Sequence, residues 1–418
     1  MQGLSLDQAP PYKIPLFYYM TGAFYLLLFS GTLFYEGLHV GSRYDSTAIV
    51  LTHLLTLGFF THIMFGTLFQ MVPVIIGEAY KNVEFQAKMI LFVLNLGTLA
   101  FMVYLVADIK LFMTVAILFL GTALLYFAIY SLLTISKTKD KNPTVKTFLT
   151  ALVFLALGAV FGIMALLQHS GIMGGERYGD IHFSIMVFGW VFMLFSGVAY
   201  KVLPMFYVAR EYPIWIKNYF YILVSLTLFS TLLSTFFEFE TGIKLSKTVL
   251  ALLALVFAVT TIVILKNRKR ARKDSTVDLF YFANINLAVG AVIWIIAVVF
   301  DLQLDFLLGI LFGLGFVYGL INGMLYKIVP FLTWFHLSSS FVYEAEMSEV
   351  IKTRMMKMQS YLFMASYAAF LSALFFQPLV FVASALLFIS SSLLLYNLTS
   401  GYGYHSKMIK KALKYEQR

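Results

Sequence analysis

Long apolar stretches, separated by short clusters of charged, glycine and proline residues, run through almost the whole chain. They lie at roughly 14–39, 47–77, 86–106, 110–134, 146–168, 180–206, 214–237, 244–266, 278–301, 304–330, 356–375 and 377–397. Each is long enough to cross a hydrocarbon core of about 30 Å as an α-helix rising about 1.5 Å per residue. The pattern predicts an all-α polytopic membrane protein, a single membrane domain of about twelve transmembrane helices. The opening residues, MQGLSLDQAPPYK, are polar and lack a basic region followed by a cleavage site. The first apolar stretch is therefore expected to be the first span and not a removable signal.

The chain also resembles itself. Gly66-Thr67-Leu68-Phe69-Gln70-Met71-Val72-Pro73 closes the second stretch, Gly197-Val198-Ala199-Tyr200-Lys201-Val202-Leu203-Pro204 the sixth, and Gly323-Met324-Leu325-Tyr326-Lys327-Ile328-Val329-Pro330 the tenth. Each has a further glycine eight residues upstream, at Gly58, Gly189 and Gly315, giving the pattern G-x7-G-x2-[FY]-[QK]-x-[VL]-P. The prolines are 131 and 126 residues apart, which predicts three four-helix repeats in the same orientation. These cover about 14–134, 146–266 and 278–397, followed by a polar tail at 398–418. Glycines eight apart lie about 80° from one another around a helix, so the pair is expected to let a neighbouring backbone approach closely. The proline is expected to discourage the helix from continuing. The aromatic and the Lys or Gln before it suit the membrane interface, where rings anchor and long side chains snorkel.

Composition agrees with lipid as the main solvent: 61% of residues are hydrophobic, 12% are charged, and the mean hydropathy is +0.87. The net charge of +10 takes its meaning from its distribution. With a cytoplasmic N-terminus, only Arg43, Lys110, Arg177, Lys244 and Lys247 face outward, and the other 25 of the 30 Lys and Arg lie inside. That is the positive-inside bias of a bacterial-type inner membrane, with N- and C-termini cytoplasmic. The run Lys266, Arg268, Lys269, Arg270, Arg272, Lys273 then faces anionic lipid, not nucleic acid. There are no cysteines, which excludes disulfides, thiolate-ligated haem, iron–sulfur clusters and covalent haem attachment. No nucleotide-binding glycine loop, HExxH or nucleophile elbow is present. The segment 338–354, with Glu344, Glu346 and Glu349 ahead of Lys352 and Arg354, reads as a charged helical connector.

Candidate chemistry rests on histidine. Of the seven, His39, His53, His62, His169 and His182 fall in the outer half of the predicted bundle; His336 follows the tenth span and His405 sits in the tail. Ionisable side chains inside spans are costly, and imidazole is the commonest axial ligand of haem. His53 and His182 lie 20 and 22 residues before their repeat prolines, so about 30–33 Å from that boundary, at similar depth on equivalent helices. His62 is nine residues past His53, turned about 180° on a straight α-helix, so the two cannot serve one ion from one face. The cofactor-binding candidates are His53, His182 and His62, and the metal-ligand candidates are His53, His62, His169 and His182. His39 has Glu36 one turn before it as a supporting partner. The structural alternative for each is an imidazole hydrogen-bonded to a neighbouring carbonyl.

The stretch Leu51–Gly77, LTHLLTLGFFTHIMFGTLFQMVPVIIG, resembles the second span of heme-copper oxidase subunit I-like proteins. Asp180–Phe206 and Leu307–His336, the latter LLGILFGLGFVYGLINGMLYKIVPFLTWFH, resemble other spans of divergent members. The twelve-span layout and three repeats are similar to that family's three arcs. The resemblance implies that His53, within THLLTLGF, is an axial ligand of a low-spin haem. The chain departs from the family where the second centre is built: 304–330 holds no histidine, His182 is followed by Phe183, and no His-His pair occurs. The resemblance therefore implies a haem protein without a complete haem–copper centre, with haem b as candidate cofactor and copper second to it. Twelve-span haem proteins linked to nitric-oxide tolerance are a related look-alike. One haem between repeats one and two, on His53 with His182 as second ligand, would transfer electrons or handle a small gas such as NO or O2. Two other readings stand beside it: a transporter or channel using Asn95, Asn284, Asn286 and Asn322, and a non-catalytic subunit or assembly partner of a respiratory complex. The expected partners are the lipid bilayer, a respiratory-chain protein or a small gas.

Overall fold

The computed structural model describes residues 8–37, 43–174, 177–269 and 274–416. His39 and the basic residues Arg270, Arg272 and Lys273 lie outside them. The described residues are helical, with no strand among them. The helices are α1 (Lys13–Glu36), α2 (Ser46–Ile76), α3 (Val83–Ala107), α4 (Lys110–Ile135), α5 (Pro143–His169), α6 (Tyr178–Tyr207), α7 (Ile214–Phe236), α8 (Glu240–Lys266), α9 (Ser275–Val299), α10 (Asp305–Ser339), α11 (Thr353–Ala373) and α12 (Leu379–Glu416).

Eleven of these helices are long and apolar enough to cross a membrane, one fewer than the sequence pattern predicts. The shortfall is α11. It is long enough, but Arg354, Lys357, Gln359, Ser360 and Ser366 dilute its apolar character. Phe92, Leu118 and Phe229 stand on the outer surface with more than half of their area exposed, as side chains facing lipid do. Two helices overrun their expected ends. α10 passes through Pro330 to Ser339, so His336 is helical. α12 continues to Glu416 through the segment expected to be a polar tail. The extension is held by Met408, packed on Leu337, Val342 and Ala345, and by Lys411 donating to Glu344 at 2.6 Å. The 338–354 connector carries only a short helix, Met347–Val350.

Consecutive helices pack side by side, and α12 returns to α1: the rings of Phe34 and Phe381 meet at 5.9 Å, and Gly31 lies against Phe388. Helices α2, α6 and α10 meet at the centre, where all three line one cavity. Their first turns are also joined by Arg43, just before α2. It pairs with Asp180 of α6 at 2.8 Å and with Asp305 of α10 at 3.5 Å. Burial works against the charge on Arg43, but Asp180, Tyr44 and Asp305 outweigh it and raise its pKa.

The paired glycines explain how these three helices are held. A Cβ on Gly58 would stand 2.7 Å from the Tyr25 ring of α1, on Gly189 2.5 Å from Phe154 of α5, and on Gly315 2.6 Å from Asn286 of α9. The second glycines meet the same helices: Gly66 meets Tyr18, Gly197 meets Phe148, and Gly323 meets Leu279. The close neighbour is mostly a side chain seated in the notch, where the sequence led us to expect a bare backbone. The first glycine of each pair also lies in a stretch the sequence did not reveal. Leu54–Thr61, Ile185–Phe192 and Ile310–Tyr318 are π-helical, a wider turn that concentrates at functional sites. Side chains follow that register. Thr61 Oγ1 donates to the carbonyl of Thr56 at 2.9 Å, five residues back, whereas Thr98 Oγ1 reaches Leu94, four back, at 2.7 Å.

The prolines act unequally. α2 ends soon after Pro73 at Gly77, with φ +81°, and α6 soon after Pro204 at Val208, with φ +51°, while Pro330 lies inside a continuing helix. Lys327, expected to snorkel, instead pairs with Asp274 at the start of α9. Asp274 also accepts from the Thr276 amide at 3.0 Å and hydroxyl at 2.8 Å. Burial pushes the Asp274 pKa up, but the bonds from Lys327 and Thr276 outweigh it and hold it below the ordinary carboxylate range. The stabilisation is therefore full above that range and is lost as pH falls through the lowered value.

Two outcomes follow. Gly58→Leu or Gly189→Leu should destabilise the detergent-purified protein by about 1–3 kcal/mol through overpacking, seen as a lower Tm. Gly403→Ala, with nothing within 4 Å, should leave it unchanged. Asp274→Asn should cost about 1–3 kcal/mol by leaving the part-buried Lys327 ammonium without its carboxylate, and should flatten the acid limb of a Tm–pH profile.

Candidate functional site

The structure brings His53 and His182 together. His53 ends the first α-helical turns of α2, and His182 sits in the first turns of α6, each just before the π-helical stretch of its helix. Their ring centroids are 6.2 Å apart and their planes differ by 17°. Phe101 of α3 meets His53 edge-on at 5.0 Å.

Each ring is aimed by its own Nδ1. His53 Nδ1 donates to the Ile49 carbonyl at 2.8 Å, and His182 Nδ1 to the Gly158 carbonyl of α5 at 2.8 Å. A carbonyl can only accept, so both rings carry the proton on Nδ1 and a lone pair on Nε2. Among the described residues no hydrogen bond reaches either Nε2. Glycine again makes the room. A Cβ on Gly162 would stand 2.9 Å from Cε1 of His182, so Gly162 leaves the room in α5 for the imidazole, while the space beside Gly158 is taken by Met186.

The separation has a chemical meaning. Two imidazoles on opposite sides of one metal ion, at about 2 Å per metal–nitrogen bond, place their centroids roughly 6 Å apart. An offset aromatic stack spans the same distance. Both rings are neutral with Nδ1 held by a carbonyl, a tautomer that a metal-bound imidazole also takes.

His62 is placed differently. It is fully buried, with Nδ1 donating to the Leu57 carbonyl at 3.0 Å and Nε2 accepting from Asn95 Nδ2 of α3 at 3.2 Å. Both nitrogens are used, and the ring packs on Tyr25 at 5.2 Å and Tyr18 at 6.2 Å. The hydroxyl of Tyr25 is buried without a partner. His169 is exposed at the C-terminal end of α5. His336 and His405 lie elsewhere, gathered around Tyr12, which stacks on His405 at 4.1 Å and meets His336 at 5.6 Å. Among the described residues no three or more His, Cys, Asp or Glu side chains are grouped as metal ligands.

The four asparagines differ in their surroundings. Asn95 also donates to the Leu91 carbonyl at 2.7 Å, and Asn286 is bonded to Tyr367 and to the Phe282 carbonyl. Asn284 faces the central cavity, and Asn322 is buried with neither amide atom partnered.

Comparison with protein-family models finds no match along the chain, and comparison with curated proteins finds no significant similarity. Asn95→Leu should strand the buried Nε2 of His62 without its donor. The expected loss is about 1–3 kcal/mol of stability, read as a lower Tm, with His53 and His182 undisturbed.

Proposed function

We propose that this chain is a multi-pass membrane haem protein that carries electrons through a single b-type haem held by His53 and His182. The observation that carries the reading is the pair itself: near-parallel rings from different helices, 6.2 Å between centroids, each with Nδ1 tied to a carbonyl and Nε2 left as a lone pair. The donor chemistry fits a haem iron, which accepts two neutral imidazoles as axial ligands. A haem so held supplies reversible one-electron chemistry. The residues of this chain fix how it would be held. The Ile49 and Gly158 carbonyls set both tautomers and orient both rings. Phe101 meets His53 edge-on and covers part of its ring.

With His53 and His182 both holding it, a haem here would have no position left for a gas, so the pair favours electron transfer over gas binding at this site. His62, with both nitrogens engaged, and the exposed His169 take no part. The wider reading places α1–α12 as three four-helix repeats of an oxidase-like scaffold in a bacterial-type inner membrane, both ends cytoplasmic, handing electrons to or from a respiratory partner. The six glycine contacts, repeated between α1 and α2, α5 and α6, and α9 and α10, support that arrangement.

The full-length protein purified from haem-replete cells should show a Soret band, a b-type pyridine haemochrome and a rhombic low-spin EPR signal of near-parallel imidazoles. His53→Ala and His182→Ala should each abolish the six-coordinate spectrum, while His62→Ala and His169→Ala keep it. A colourless preparation, or a spectrum that survives both of the first two replacements, defeats the proposal.

A further inference from the structure

The polar side chains that dilute α11 divide into two sets. Gln359, Ser360 and Ser366 are buried against protein. Arg354 and Lys357 are exposed, and they head an open groove that continues along the helix over Met358, Tyr361 and Leu362 to Ala365. These positions recur at i, i+3, i+4, i+7, i+8 and i+11, so they form one face. Below the two cations that face is apolar and uncovered: Met358 keeps 40% of its area exposed and Tyr361 67%.

The cations are unanswered within the protein. Among the described residues no carboxylate pairs with Arg354 or Lys357. The three carboxylates just before them are engaged elsewhere. Glu344 accepts from Lys411 at 2.6 Å, Glu346 from Ser348 at 3.1 Å and Glu349 from Tyr404 at 2.8 Å.

We propose that this groove binds an anionic glycerophospholipid, its phosphate held by Arg354 and Lys357 and one acyl chain laid along Met358, Tyr361 and Leu362. Side chains three apart on a helix stand about 5–6 Å from one another, close enough for both cations to reach one phosphate. The guanidinium matches two phosphate oxygens at once, and the lysine adds a point charge. Length decides for a lipid over a partner helix. Arg354 to Ala365 spans about 16 Å, close to half of a hydrocarbon core of about 30 Å. The groove therefore covers one leaflet, as an acyl chain does, whereas a packed helix would need the whole depth. An anionic headgroup gains more here than a zwitterionic one, whose own ammonium already answers its phosphate.

The chain has no cysteine, so Met358→Cys places a single fluorescent label in the groove. Tyr219→Cys is the control: it is 58% exposed and five residues into α7, as Met358 is into α11, where Lys217 is already paired with Glu211 at 2.5 Å. The full chain is placed in nanodiscs of phosphatidylcholine, and quenching by brominated phosphatidylglycerol is compared with that by brominated phosphatidylcholine. At position 358 the anionic lipid should reach half-quenching at a mole fraction roughly 5–30-fold lower, as one or two cations near the surface provide; at position 219 the two lipids should match. Arg354→Gln combined with Lys357→Gln should remove the preference. Raised salt should shrink it in the otherwise unaltered chain, which serves where the double variant fails to fold. Equal quenching by both lipids at position 358, the same preference at position 219, or a preference that persists in the folded double variant overturns the proposal. So does a label at position 358 that neither lipid reaches, which would show the face covered by another polypeptide. The readout needs no haem, so a colourless protein leaves it standing.

Discussion

Between helices in lipid there is no hydrophobic drive to associate, because the alternative neighbour is as apolar as the partner. What remains is van der Waals contact at close range, and in this protein it is concentrated where a side chain of one helix sits in a notch left by a glycine of the next. Tyr25 on Gly58, Phe154 on Gly189 and Asn286 on Gly315 are the same device used three times. Each sets how near the outer helix stands to the central one. The first glycine of each pair also lies within a π-helical stretch, so the close contact and the widened turn coincide in all three helices.

The polar groups inside obey a second constraint. Bare donors and acceptors are expensive where no water reaches, so most polar side chains here return to a carbonyl of their own helix, as Thr98, Ser196 and Thr235 do. Against that background the unanswered atoms are informative. Among the described residues no hydrogen bond reaches Nε2 of His53 or His182, and Asn284 Oδ1 is buried without a partner. His62 shows the contrasting case, an equally buried ring whose needs Leu57 and Asn95 meet in full.

Much of this was legible in the residues. The apolar runs located the helices to within a few positions, the recurring G-x7-G located the tight contacts, and counting back from Pro73 and Pro204 put His53 and His182 at one depth. The failures have physical reasons. A hydropathy pattern measures apolar length and not where a helix stops, so α10 and α12 overran: their extensions are held by contacts with one another, through Met408 and Leu337, that no local pattern reports. α11 forms where the apolar pattern placed a helix, but its buried Gln359, Ser360 and Ser366 face protein, which makes it less apolar than the other eleven. The π-helical turns carry no sequence signature beyond the glycine, so the rotation between His53 and His62 could not be set from an α-helical wheel. Nothing in the sequence reading singled out Gly162, whose missing Cβ makes room for the His182 ring.

One contact bears on how the molecule is made. Tyr12, just before the first helix, is hydrogen-bonded to Thr333 of α10 at 2.8 Å and stacked on His405 of α12, and Phe34 at the far end of α1 meets Phe381. The seam thus joins α1 to α12, the two helices farthest apart in this sequence. Contacts of such long separation carry the largest loop-closure cost, so this pairing is the one expected to form last and to open first.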